Sequence, residues 1–251
     1  MKLFDLSGRR ALVTGGNGGI GLGMARGLAE AGARVAIAGR NRAKAEAALD
    51  ALGPDSIFVE VSIPDPHSCR AMVQSTVEAL GGLDILINNA GMANRKRPEL
   101  LSPEEWRELM ETNLSGAFYA AQAAYPEMKK AGGGKIINIG SMMSIFGAPF
   151  AAAYGASKGG IVQLTKSLAT AWAGDNIQVN AVLPGWIDTE LTVGARAQVE
   201  GLNERVLART PAGRWGVPDD FAGIAVFLSS AASDFVSGTA IPVDGGYSSQ
   251  A

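Results

Sequence analysis

Residues Arg10–Gly21 read R-A-L-V-T-G-G-N-G-G-I-G. A short apolar run rich in strand-forming side chains stops at Thr14. Five glycines then fall within seven residues, and a helical pattern begins at Gly19. Glycine tolerates positive φ and lets a ligand approach the backbone closely. A helix that opens on such a turn presents unpaired N–H groups and the positive end of its dipole, a seat for a pyrophosphate. This turn follows a strand, starts a helix and is the first strand-to-helix turn of the chain, the context that a dinucleotide-binding fingerprint requires.

Working outward, the same alternation continues to the end of the 251 residues. Runs at Arg10–Thr14, Arg34–Ala38, Ile57–Val61, Asp84–Asn88, Lys135–Gly140, Ile177–Leu183 and Thr239–Val243 read as strands. Their near-continuous apolar character suits strands covered on both faces, as in a parallel sheet. Between them, Gly19–Ala31, Arg42–Leu52, Pro66–Leu80, Ser102–Lys130, Tyr154–Ala173 and Pro218–Ser229 read as helices. Ser102-Pro103-Glu104-Glu105 supplies an N-cap, a proline at N1 and an acidic first turn. The pattern predicts an α/β Rossmann fold, a doubly wound parallel seven-stranded sheet with helices on both faces. No linker or repeat divides the chain, so residues 1–251 read as one dinucleotide-binding catalytic domain. Residues 189–209 stand out as a possible substrate lid. Ligands of such sheets bind beyond the carboxyl ends of the strands.

Composition narrows the function classes. Apolar residues make up 47% and charged residues 18%, with a net charge of −2. That suits a globular chain and offers no basic footprint for nucleic acid. No run of about 18 apolar residues predicts a membrane span. No signal-like segment opens the chain, and the single cysteine, Cys69, allows no intrachain disulfide. A reducing cytoplasmic location is expected. The one histidine, His67, lies near Cys69 and Asp65, a poor set of metal ligands, so no metal is expected. His67 also has no G-x-S-x-G elbow to serve in a hydrolase triad.

The glycine-rich turn is spaced T-G-x-x-x-G-I-G. With Asn88-Asn89-Ala90-Gly91 after the fourth strand, Asn113 in the next helix, Ser141 after the fifth strand, Tyr154 with Lys158, and Pro184-Gly185 after the sixth, the whole chain resembles the short-chain dehydrogenase/reductase family. The resemblance implies a nicotinamide cofactor held by Gly15, Asn17, Gly18, Gly19, Ile20 and Gly21. It implies that Glu60 and Val61 lie at the adenine and that Asn89, Ala90 and Gly91 line the ribose side. Pro184, Gly185, Ile187 and Thr189 would bind the carboxamide end. The second strand runs into Gly39-Arg40-Asn41 where an NAD binder places an acid for the ribose 2′-hydroxyl. Arg40, with Asn41 and Arg42 following, suits a 2′-phosphate instead. The reading is NADP, with NAD as the alternative because Gly18 stands where many NADP users of the family carry Lys or Arg.

Tyr154 and Lys158 are four residues apart, so on a helix they share a face with Cβ atoms about 5–6 Å apart. A free tyrosine titrates near 10, and a neighbouring ammonium is expected to lower that value. Ser141 ends a strand, where its hydroxyl can hold a substrate oxygen beside Tyr154. By resemblance, the backbone carbonyl of Asn113 helps hold a water in a proton relay. Asn113, Ser141, Tyr154 and Lys158 are therefore the expected catalytic set for reversible hydride transfer between a nicotinamide and a secondary alcohol or ketone. Tyr154 and Lys158 also border the cofactor.

Arg95, Met142, Met143, Phe150 and Trp186 are candidate substrate residues, though thioether and aromatic side chains serve equally as packing. The segments N-N-A-G-M-A-N-R-K-R, S-M-M-S-I-F-G and P-A-G-R-W-G look similar to sugar and sugar-acid dehydrogenases of the family, of gluconate and glucose type. A 3-oxoacyl-carrier-protein reductase is the alternative, weakened by Thr170 and Ala171 where a basic docking residue is usual. A non-catalytic NADP-binding scaffold is a third reading, which has no need of Ser141, Tyr154 and Lys158. The resemblance further implies a homotetramer joined through the two long helices and the C-terminal segment; the alanine-rich faces Ala117–Ala124 and Ala151–Ala156 suit close helix contact there or packing inside the subunit.

Overall fold

A computed structural model describes residues 2–250. Seven strands, β1 (Arg10–Thr14), β2 (Arg34–Gly39), β3 (Ile57–Glu60), β4 (Ile85–Asn88), β5 (Gly134–Ile139), β6 (Ile177–Pro184) and β7 (Ala240–Val243), form one sheet in the order β3-β2-β1-β4-β5-β6-β7. All pairings are parallel. The reversal of strand order between β1 and β4 opens a crevice at their carboxyl ends.

Alternation along each strand feeds two cores. Ala11 and Val13 of β1, Val35 and Ile37 of β2, Ile85 and Ile87 of β4, and Ile137 and Ile139 of β5 face one side. There they pack on α1 (Gly19–Glu30), α2 (Arg42–Leu52) and α9 (Ala222–Ser229). The intervening Leu12, Ala36, Leu86 and Ile136 face the other side. There they meet α3 (Pro66–Leu80), α5 (Gly116–Lys130) and α6 (Ala152–Trp172). A period of two with both phases apolar is what two covered faces demand. Each fully buried Leu or Ile contributes roughly 1.5–3 kcal/mol of transfer free energy.

The long helix expected over Ser102–Lys130 is interrupted. α4 (Pro103–Met110) begins with a capping box between Ser102 and Glu105, then gives way to a π-turn at Glu111–Ser115 before α5. The expected helix at Pro218 starts as a 3₁₀ turn and becomes α9 only at Ala222. Residues 190–209 hold α7 (Glu190–Gln198) and α8 (Leu202–Arg209).

A chain of buried amides and hydroxyls keys α6 to the sheet. Asn88 Nδ2 donates to Asn138 Oδ1 at 2.9 Å, and Asn138 Nδ2 donates to Thr165 Oγ1 at 2.9 Å. Thr165 Oγ1 in turn donates to the Ile161 carbonyl at 2.8 Å. Asn138 and Thr165 are almost fully buried, and buried amides are costly unless paired.

Candidate active site

The glycine-rich turn is held open from the neighbouring strand. Thr14 Oγ1 accepts from the backbone N–H of Asn89 and of Ala90, both at 3.0 Å. Asn89 Nδ2 donates to the carbonyls of Thr14 and Gly15 at 3.0 and 3.1 Å. Gly15 and Gly19 adopt φ of +64° and +52°, values that β-carbon sterics disfavour. Gly18 caps α1 without a side-chain hydrogen bond, so the first N–H groups of α1 face the crevice uncapped by any side chain. Open backbone donors, the dipole and the absence of side chains fit a dinucleotide pyrophosphate.

Around this turn the expected cofactor residues divide. Gly39 ends β2 against Asn17, whose Nδ2 is 3.3 Å from where a β-carbon on Gly39 would stand. Arg40 is exposed and makes no ion pair among the described residues, whereas Arg42 stacks over Phe58 at 5.3 Å. Thr189 lies against Gly19, over the start of α1. Glu60 is exposed at the end of β3. The side chains of Val61 and Ile187 are buried in the two cores, which leaves only their backbone to meet a ligand. Asn41 spends its side chain as the N-cap of α2, accepting from Lys44 N at 3.0 Å. Pro184 ends β6, and the N–H of Gly185 donates to the Val243 carbonyl.

Beyond β5 and β6 a cavity of about 100 Å³ is lined by Ser141 and Tyr154 together with Arg95, Met142, Met143, Phe150 and Trp186. Every expected substrate residue thus borders the same space as the expected catalytic hydroxyls. Ala93, Asn94, Ala148, Leu191 and Thr192 complete the wall. Arg95 Nη2 also donates to the Leu191 carbonyl at 2.8 Å, tying the wall to α7.

Ser141 is fixed by its neighbours, above all Ser144, which had not been expected in the site. Its N–H donates to Ser144 Oγ at 3.2 Å, and Ser144 Oγ donates to the Lys158 carbonyl at 2.7 Å. Met143 N–H donates to Ser141 Oγ at 3.1 Å. Ser157, also unanticipated, is fully buried; it donates to the Tyr154 carbonyl and accepts from Asn113 Nδ2. Asn113 sits inside the π-turn, 2% exposed. Its Oδ1 accepts from Met92 N at 2.8 Å and its Nδ2 donates to Met92 O at 2.9 Å. The Asn113 side chain is therefore spent on shaping the loop after β4, and any part in a relay falls to its backbone.

Lys158 is 5% exposed, and its Nζ donates to the Ile139 carbonyl at 2.7 Å. The same ammonium lies 3.7 Å from where a β-carbon on Gly91 would stand and 5.8 Å from the Tyr154 ring centroid. Burial acts on the tyrosine against the lowering expected from Lys158. Burial pushes the Tyr154 phenol up, and the Ser141 hydroxyl and the Arg95 charge only partly oppose it. Burial also pushes Lys158 down to about 8. Taking both groups out of water disfavours each charged form. Cys69 is buried, donates its thiol to the Ile63 carbonyl at 3.3 Å, and is pushed up to about 11, chiefly by burial. It is an unreactive core thiol.

Comparison with known proteins agrees with this geometry. A family profile of the short-chain dehydrogenases, described as enoyl-(acyl carrier protein) reductase, matches residues 15–248. Gluconate 5-dehydrogenase of Gluconobacter oxydans is 41% identical over 97% of this chain and 96% of its own. The 2-dehydro-3-deoxy-D-gluconate 5-dehydrogenase of Dickeya dadantii is 41% identical over 98% of each chain. The crystal structure of a gluconate 5-dehydrogenase from Burkholderia cenocepacia, in complex with NADP and tartrate, superposes with a TM-score of 0.94 at 42% identity, covering 100% of this chain and 99% of that one. Similarity of this depth along nearly the whole length leaves one assignment: the chain is an oxidoreductase and belongs to the short-chain dehydrogenase/reductase family.

Proposed function

We propose that the protein is an NADP-dependent dehydrogenase/reductase that interconverts a secondary alcohol and a ketone on a sugar acid of gluconate type. The observation that carries this reading is a cation in the same cavity as the catalytic hydroxyls. Arg95 lines the space shared by Ser141 and Tyr154, and its charge acts on the phenol. A guanidinium there can hold a carboxylate bidentately while the other end of the substrate reaches Tyr154. The gluconate-type relatives, and the neighbour solved with NADP and tartrate, support the same substrate class. Exposed Arg40 and the absence of an acid at Gly39 support NADP.

When bound, the nicotinamide gives or accepts a hydride at its C4. In the oxidising direction Tyr154 Oη takes the proton from the substrate hydroxyl; in the reducing direction it returns one to the same oxygen. Ser141 Oγ donates to that oxygen and stabilises its developing charge. Lys158, anchored on the Ile139 carbonyl beside Gly91, places a positive charge between the phenol and the ribose side of the crevice. Asn113 holds the loop after β4 that carries Gly91 and Met92. Residues 189–209 act as a lid over the cavity through Leu191 and Thr192. The enzyme is assigned to the cytoplasm, where a free thiol such as Cys69 is stable, and to a homotetrameric state.

Absorbance at 340 nm with NAD and NADP in parallel, across aldonates, polyols, aldoses and β-ketoesters, tests the assignment. Aldonates with NADP should turn over fastest. Arg95→Met should raise KM for an aldonate by about tenfold, the cost of one charge-assisted pair, and leave a neutral polyol unchanged. Turnover confined to β-ketoesters would replace the sugar-acid reading with a carrier-protein-type ketoreductase.

A further inference from the structure

The glycine-rich turn lacks a basic side chain of its own, yet a cation stands at the place where one would project. Lys44, from the first turn of α2, lays its Cε and Nζ 3.2 and 3.3 Å from where a β-carbon on Gly18 would be. The ammonium fills the volume that a longer residue at position 18 would occupy. It is fixed there from both ends, since Lys44 N–H donates to Asn41 Oδ1 at 3.0 Å and Lys44 Nζ pairs with Glu190 Oε2 at 2.5 Å. Glu190 is the first residue of α7 and its side chain is 84% exposed. The next residue, Leu191, is held by Arg95 from the substrate side. The first turn of α7 is thus gripped by one cation from the cofactor side and one from the substrate side.

We propose that Lys44 is a specificity-determining residue: a second cation for the 2′-phosphate of NADP, for which that phosphate and Glu190 compete. The inference rests on the NADP reading given above and adds a residue and a coupling to it. An arginine supplies a planar fork and a lysine a compact point charge, so Arg40 and Lys44 recognise a dianionic phosphate from two directions. The existing pair with Glu190 is exposed, and pairs of that kind are weak. A phosphate dianion outcompetes one carboxylate for the ammonium and then repels Glu190 at close range. Arrival of NADP thereby releases the start of α7 from α2, whereas NAD, which has no 2′-phosphate, leaves the pair intact.

Calorimetric dissociation constants for NADP and NAD, in wild type, Lys44→Met, Glu190→Gln and the double variant, test this without reference to turnover. Lys44→Met should weaken NADP about tenfold, as expected for one lost charge-assisted hydrogen bond, and leave NAD within about twofold. Glu190→Gln should tighten NADP by a few-fold and leave NAD unchanged, and this gain should vanish when Lys44 is already methionine. Equal weakening of both cofactors by Lys44→Met would assign the lysine to the pyrophosphate and overturn the proposal, as would no weakening of either. A wild type that binds NAD more tightly than NADP overturns the cofactor reading itself, an outcome separate from the variants' behaviour.

Discussion

Tyr154 is half-buried at the cavity wall and Lys158 is buried, and burial is the largest influence on each. Tyr154→Phe removes the proton carrier alone. It should lower kcat by roughly 10²–10⁴, the usual worth of general acid–base catalysis. Calorimetry of the same variant should show cofactor affinity close to wild type, and wild-type turnover would remove Tyr154 from the mechanism. Lys158 makes a different prediction, about stability. Its folded value of about 8 lies below the model-compound value of 10.5. At neutral pH both the folded and unfolded states carry the charge, and its burial costs on the order of 3 kcal/mol. Between about 8 and 10.5 the unfolded chain binds the extra proton, so stability from this group rises with pH, and the penalty is gone above 10.5. Lys158→Met should therefore be inactive yet raise the urea midpoint at neutral pH, by a margin that shrinks as the pH climbs through that window. A margin independent of pH would show that the ammonium is not desolvated. The part played by burial was not legible in the spacing of Y-G-A-S-K, which places the two residues on one helical face but says nothing about how far water is excluded.

Among the secondary-structure elements, the strands were readable because both phases of each are apolar, and most helices because caps and prolines bound them. The π-turn was not. A π-turn carries the same residue types as the α-helix around it, and E-T-N-L-S offers no Gly or Pro to mark the extra residue. Yet that turn is what carries Asn113 to Met92. The pair α7–α8 was visible only as a stretch between pattern elements, and its fastenings are long-range: Lys44 and Glu190 are 146 residues apart, and Arg95 and Leu191 96. Its far end is clasped by Arg209, whose guanidinium lies 4.8 Å from the Phe146 ring and 4.5 Å from the Tyr247 ring. Two exposed cation–π contacts are worth about 1–2 kcal/mol together. Arg209→Ala should then speed amide hydrogen exchange in α8 roughly tenfold, with the strands unaffected. Exchange at the wild-type rate would mean that the clasp holds nothing.

At the scale of the whole molecule, the parallel sheet and its two covered faces follow from the alternating pattern, whereas the surface does not announce its partners. Trp106 on α4 and Phe118 on α5 remain 40% and 37% exposed, with Leu100 just before them at 65%. Trp106 and Phe118 lie on the long helical stretch expected to join subunits, and Leu100 sits in the turn before it. Phe118→Glu should convert the proposed tetramer to dimers or monomers by light scattering while the fold, read by circular dichroism, is kept. A tetramer unaffected by that charge would place the contact elsewhere. The amide chain Asn88–Asn138–Thr165 has its own consequence at this scale. A slide or roll of α6 by a single residue would strand an amide in the dry interior, so the phase of the helix bearing Tyr154 is locked from beneath the sheet rather than by the loops above it. Laboratory evolution can therefore rewrite residues 93–95, 145–150 and 191–208 for new substrates while the reactive phenol stays in register.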